Sequence, residues 1–229
     1  MKLRYFDTTV NDHMPEEFGA KMLDYSTEPV SYTNGYLEAE GGTFPVRLKA
    51  KRGLRAISMV FDFEAKSQKE LAINISQFTA LLQEEAVNIM LPDGFYYWCE
   101  FDGASTPAKM APWIQQVEFR LTGVRHEAQK EHILTETDVV EADGNMESPL
   151  TVELTRATGA TSMQFMGITI TDAETAIIDG IYMTVTDENG NNIFLKTDIT
   201  EWPKFSPGEN TVTMTGVSEA KIAYFPIWL

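Results

Sequence analysis

Three histidines, one cysteine and one acidic loop are the residues here whose types and spacing invite chemistry. His13, His126 and His132 are the only imidazoles. His126 and His132 are spaced too widely for one helical face and have no cysteine beside them. A zinc site needs three or four converging ligands, so solvent-exposed histidines are expected and no metal is. Cys99 sits in "YYWCEF". A catalytic thiol needs a base and an electropositive setting. In mid-strand among aromatics, Cys99 reads as a buried, inert residue packing as a small hydrophobe.

Asp187, Asn189, Asn191 and Asp198 fall at positions 1, 3, 5 and 12 of a calcium-loop count. Position 6 is Asn192 rather than Gly, position 12 is Asp rather than Glu, and the flanks read as strands. A hairpin explains the same residues without an ion. With 34 acidic residues, a pair of carboxylates for glycoside hydrolysis can always be drawn, and no spacing singles one out. The chain holds no Gly-x-Ser-x-Gly elbow and no phosphate-binding glycine loop followed by Lys and Ser/Thr. No catalytic residue and no cofactor is expected, and the chain is read as a non-enzyme. Phe165, Tyr182, Phe194 and Trp202 could stack on sugars, with Tyr182 and Trp202 the candidate carbohydrate contacts. The competing use of the four is to fill a small core.

Glu209 stands on a Pro-Gly turn in "KFSPGENTVTM". The stretch reads as a strand entry. Pro207 and Gly208 make the turn, Asn210 closes it, and Phe205 packs under it. Val212 and Met214 then face inward, leaving Glu209 solvated at the tip.

The elements that would position these residues are mostly strands. Ile57, Met59, Phe61 and Phe63 alternate in "RAISMVFDFE", as do Val117, Phe119 and Leu121 in "QQVEFRLTG", Ile168 and Ile170 in "MGITIT", and Met183 and Val185 in "IYMTVT". One segment changes period. Leu71, Ile75, Phe78 and Leu82 fall at i, i+4, i+7 and i+11, one face of a helix over about 67–84. Ser67 and Glu70 form a capping box at its start. The helix is expected to cover a sheet or barrel end. Pro92-Asp93-Gly94 predicts one hairpin, and Asn189-Gly190 in "YMTVTDENGNNIFLKT" a second.

Between Ser26 and Lys51, short apolar pieces are punctuated by Asn34-Gly35 and Gly41-Gly42. This is a flexible insertion or an arm that packs on another subunit. The stretch "QKEHILTETDVVEADGNMES", 129–148, is polar and acidic and reads as a linker with one strand in it. Domains of 1–128 and 149–229 follow: a β-rich N-terminal domain with one helix, and a small C-terminal β-sandwich.

Composition narrows the function classes. The 229 residues, 43% hydrophobic, suffice for one large or two small cores. The start, Met1-Lys2-Leu3-Arg4, lacks the apolar run of a signal peptide, and no apolar stretch spans a bilayer. One cysteine excludes an intrachain disulfide. These features fit a cytoplasmic fold and no membrane partner. The net charge is −16, and no Lys or Arg occurs from Ala157 through Leu195. Specific nucleic-acid binding needs clustered cations and is not expected.

Taken in order, these pieces resemble the distal tail protein (Dit) family of long-tailed bacteriophages and prophages. The resemblance rests on "YTNGYLEAEGGTFPVRLK", "LRAISMVFDFEA", "KELAINISQFTALLQ", "NIMLPDGFYYWCEF", "QQVEFRLTGVRHE", the Pro-Gly stretch above and the terminal "KIAYFPIWL". The C-terminal domain is shorter than in better-known members, which weakens the case for galectin-like carbohydrate binding. The resemblance implies a mainly β fold with an N-terminal β-barrel-like domain, one helix and an extended "belt" hairpin, plus the small C-terminal sandwich. It implies a virion structural protein at the tail tip or baseplate, assembled in the host cytoplasm. It further implies a homo-oligomeric, hexameric ring, with the tail tube protein and the tail-associated or receptor-binding proteins as partners. The belt, about 26–51, would reach over a neighbour, making Asn34, Gly35, Tyr36, Leu37, Gly41, Gly42, Thr43 and Phe44 oligomerisation residues. A carbohydrate-binding module for cell-wall attachment and another β-rich tail protein, such as a tube subunit, are the alternatives.

Overall fold

The computed structural model describes residues 8–37, 46–85 and 87–229, with backbone alone over 33–37 and 46–51. The chain divides into two compact units, Met1–Arg125 with Leu229, and His126–Trp228. No helix among the described residues is long and apolar enough to cross a membrane.

The N-terminal unit is built on one curled, half-barrel sheet. In chain order its elements are β1 (Thr9–Val10), β2 (Ala20–Thr27), β3 (Tyr32–Leu37), β4 (Val46–Arg52), β5 (Arg55–Glu64), α1 (Gln68–Leu82), β6 (Val87–Met90), β7 (Tyr96–Ala104), β8 (Ala108–Ala111) and β9 (Ile114–His126). The strands run in the order β1-β6-β7-β9-β5-β2, with β8 also on β9. The expected alternation sets the register. Ile57, Met59 and Phe61 of β5 lie opposite Leu121, Phe119 and Val117 of β9, and all six are buried.

Helix α1 lies on this apolar face. Phe78 is fully buried, with ring centroids 5.0, 5.4 and 5.5 Å from those of Phe61, Phe119 and Phe63, all edge-to-face. Leu71, Leu81 and Leu82 complete its buried face, and Ile75 packs at the margin. Ser67 Oγ accepts the Glu70 amide at 3.2 Å, the expected cap. Glu70 reaches one residue further back than a capping box requires, accepting the Lys66 amide at 3.1 Å rather than that of Ser67.

The Pro92-Asp93-Gly94 turn joins β6 to β7 as expected. Leu91 N donates to Phe95 O (3.1 Å) and Gly94 N to Leu91 O (3.0 Å). Gly94 adopts φ 84°, a left-handed angle costly for any residue with a Cβ.

The C-terminal unit comprises β10 (Lys130–Leu134), β11 (Asp138–Ala142), β12 (Ser148–Arg156), β13 (Ser162–Phe165), β14 (Ile168–Thr171), β15 (Thr175–Asp179), β16 (Thr184–Thr186), β17 (Lys204–Phe205), β18 (Gly208–Val212), β19 (Met214–Thr215) and β20 (Val217–Tyr224). The principal sheet runs β10-β20-β12-β15-β16, and β14-β13-β19 and β11-β18 form two more. One core joins them: Leu150, Val152 and Leu154 of β12, Ile222 and Tyr224 of β20, Met163 and Phe165 of β13, and Val212 of β18. Residues 129–148, read from sequence as a linker with one strand, carry two, β10 and β11, each paired within this unit.

The second expected hairpin is different in kind. The Asp187 carboxylate accepts the Asn189 and Asn191 amides (2.9 and 2.8 Å) and Asn191 Nδ2 (2.9 Å). Asn192 Oδ1 then accepts the Phe194 amide (2.9 Å) and starts a 3-10 turn, Phe194–Lys196. The returning arm is therefore that turn, not a strand. Val185 faces inward as expected, but Met183 is 63% exposed.

Candidate assembly surfaces

The N-terminal unit carries a hairpin apart from its main sheet. Strands β3 and β4 pair Tyr32 with Arg52, Asn34 with Ala50 and Leu37 with Val46. They form a sheet of two, separate from the half-barrel. Of the proposed oligomerisation residues, Asn34, Gly35, Tyr36 and Leu37 lie on β3. Gly41, Gly42, Thr43 and Phe44 lie outside the described residues.

The root of the arm is held firmly. Gly53 N donates to Ser31 O (2.8 Å) and Glu28 N to Ala56 O (2.8 Å). Arg55 begins β5 and is nearly buried, and its Nη1 donates to Glu28 O at 2.8 Å. Desolvation, and then the positive charge of Arg125, push the Arg55 pKa down. Arg125 lies 4.5 Å from the Phe95 ring centroid, a cation–π contact, and donates to the backbone oxygen of Leu229. Asp93 accepts the Tyr97 hydroxyl at 2.6 Å. Arg125 was not singled out from sequence, and Arg55 was read only as the residue that leads its strand. The one available signal was an arginine placed directly between a glycine-broken hairpin and an alternating strand.

The residues with chemical potential are dispersed. Cys99 is 5% exposed, and burial pushes its thiol up to about 12, the opposite of activation. The expectation of exposed histidines fails at two positions. His126 is 1% exposed, with Nδ1 2.7 Å from Glu127 O and its ring edge-to-face with Phe225; desolvation lowers its pKa. His132 stacks on Tyr224, centroids 5.9 Å apart, with Nε2 buried. His13 alone is half in solvent, 3.0 Å from Glu17. Among the described residues no three His, Cys, Asp or Glu side chains converge as metal ligands would.

Glu209 is exposed on β18, opposite Glu141 of β11. The turn below it is closed by Asn210, whose Nδ2 donates to Ser206 O and Gly208 O (2.7 and 2.8 Å). Phe205 is fully buried, edge-to-face with Tyr224. Of the aromatics weighed as sugar platforms, Phe165 is core, Tyr182 is 69% exposed, and Trp202 is half-buried, stacked on Phe194 with centroids 6.1 Å apart.

No protein-family model matches the chain, and no curated protein matches it. Solved structures do. The Dit protein of phage SPP1, described as a paradigm of the hub adsorption apparatus in phages infecting Gram-positive hosts, aligns over 99% of this chain and 100% of its own. The TM-score is 0.74 at 14% identity. This chain has the fold of a phage distal tail protein. Two structures of the phage P2 baseplate in its activated conformation agree. The one with calcium has a TM-score of 0.60 at 8% identity, covering 97% of this chain and 98% of the other. The one with strontium gives 0.59 at 10% identity with the same coverage. The distal-tail fold accounts for both units, since the alignment leaves almost no residue of either chain unmatched.

Proposed function

We propose that this protein is a structural component of a bacteriophage or prophage tail tip. It forms a hexameric ring that joins the tail tube to the tail-associated or receptor-binding proteins. The observation that carries this is the match to the SPP1 Dit protein along essentially the whole of both chains.

Two features of the chain support the mechanism. A two-stranded hairpin is marginal by itself in water, and β3–β4 is such a hairpin on a pinned root. Laid across the next copy, it would be paired and covered there, and repetition closes a ring. The charge suits a conduit for DNA. Six copies would carry 6 × −16 formal charges, and an acidic lumen repels phosphates instead of releasing their counterions. The role is geometric rather than catalytic, assembled in the host cytoplasm and carried on the virion.

Light scattering coupled to size-exclusion, followed by negative-stain imaging, tests the proposal. The expected particle is a ring of about six 25.7 kDa subunits with a central hole. Rings that stack into long tubes would indicate a tube subunit. A stable monomer that binds glycans would indicate a carbohydrate-binding module.

A further inference from the structure

The arm continues the edge hairpin of the half-barrel. Thr27 of β2 lies opposite Ile57 of β5, and Tyr32 of β3 lies opposite Arg52 of β4. The step from 27 to 32 on one strand equals the step from 57 back to 52 on the other, so no residue is inserted or lost between sheet and arm. The ladder is nevertheless broken at 28–31 and 53–54, which belong to no strand. Pro29 has no amide to give it. Backbone bonds from Glu28 N to Ala56 O and from Gly53 N to Ser31 O cross the break, joined by a side-chain bond from Arg55 Nη1 to Glu28 O. The two chains pass closely there, since a Cβ on Gly53 would lie 2.2 Å from Ser31 Oγ.

Arg55 stands where the period of β5 calls for a core residue. It alternates with Ile57, Met59, Phe61 and Phe63, all buried, and is itself only 8% exposed. Its Nε is buried without a partner. The charge of Arg125 bears against it, with Asp93 acting in the opposite sense. Taking a guanidinium out of water is expensive, and a single carbonyl does not offset that cost. A methionine would cover the same apolar neighbours with no charge to desolvate. Stability therefore does not account for an arginine here.

Direction does. The carbonyl that Arg55 holds lies in the plane of the Glu28–Pro29 peptide, where the chain leaves the sheet. A guanidinium presents its donors in a rigid planar fork. Holding that carbonyl orients Pro29 and, through it, the course of the chain into β3.

We propose that Arg55 is a positioning residue, whose bond to Glu28 O sets the direction in which the arm leaves the half-barrel and adds nothing net to the stability of the unit. The effect on assembly rests on the proposed ring, whereas the direction of the arm does not.

The arm is followed in dilute monomer by double electron–electron resonance between nitroxides on Leu37→Cys of β3 and Lys109→Cys of β8. Cys99 is buried and stays unlabelled. The otherwise wild-type chain should give a single narrow distance peak. Arg55→Met should lose that peak to a broad distribution while its urea midpoint equals or exceeds that of wild type. Arg55→Lys keeps the charge but not the fork and should restore the peak only in part. In the ring, Arg55→Met should raise the concentration for half-assembly at least about tenfold, a loss of about 1.4 kcal/mol. The proposal is overturned if Arg55→Met keeps the narrow peak, or if the wild-type distribution is already broad. A lowered urea midpoint in Arg55→Met, or its failure to fold, overturns it too, because the arginine would then be structural. A chain with Arg55 intact that forms no ring would refute the ring alone, and the monomer distances would still decide for or against Arg55.

Discussion

Two hairpins of the N-terminal unit begin from the same kind of signal and end differently. The turn Pro92-Asp93-Gly94 joins β6 and β7, which enter the half-barrel sheet and place Val87, Ile89, Tyr97 and Cys99 in its core. The segment with Asn34-Gly35 and Gly41-Gly42 gives β3 and β4, which pair only with each other among the described strands. Turn chemistry makes a hairpin, but neighbours decide whether it belongs to the unit. The first hairpin is folded by its own chain. The second has a fixed root, held by Arg55 on Glu28 and Gly53 on Ser31, and is completed by another copy in the proposed ring.

The sharpest way to break that contrast is to remove the arm. Replacing 32–52 with a short Gly-Ser linker should abolish ring formation, read by native mass spectrometry. The free energy of unfolding of the monomer should change by no more than about 1 kcal/mol. The core side of the contrast should respond in the opposite way. Phe78→Ala removes the ring that touches Phe61, Phe63 and Phe119 and should cost about 3–5 kcal/mol in denaturant unfolding. Gly94→Ala puts a Cβ on a left-handed backbone and should cost about 1–2 kcal/mol, whereas a substitution of equal size in the arm should alter assembly instead. Glu209→Gln should move monomer stability by less than about 0.5 kcal/mol and leave the ring intact, because its carboxylate is in solvent on β18, above a turn that Asn210 already closes.

The strands and the helix of the half-barrel were legible in the sequence because their information is local and periodic, whereas the barrel-like closure came only from the family resemblance. Ile57 to Phe63 repeat every second residue, and Leu71 to Leu82 keep one helical face. The same periodicity misleads where the backbone shifts parity. Along β9, Val117, Phe119, Leu121 and Gly123 face inward, but Val124 and Arg125 are both half-buried and the next buried residue is His126. Alternation alone therefore leaves His126 in solvent. The Asn189-Gly190 signal was real, yet Asp187 gathers the amides of Asn189 and Asn191 into a wider loop, so no long second strand forms. The polar stretch 129–148 hides two strands because β10 and β11 turn many side chains to water and have few apolar positions to betray them. Of the candidate surfaces, the arm was visible as a segment without a core.

Amide hydrogen exchange on 32–37 and 46–52 tests the central claim most directly, measured in the assembled ring and again after dilution to monomer. The account requires slow exchange in the ring and fast exchange in the monomer, with β6 and β7 slow in both. An arm equally protected in the monomer would show that its own chain already completes it, and the ring mechanism would fail.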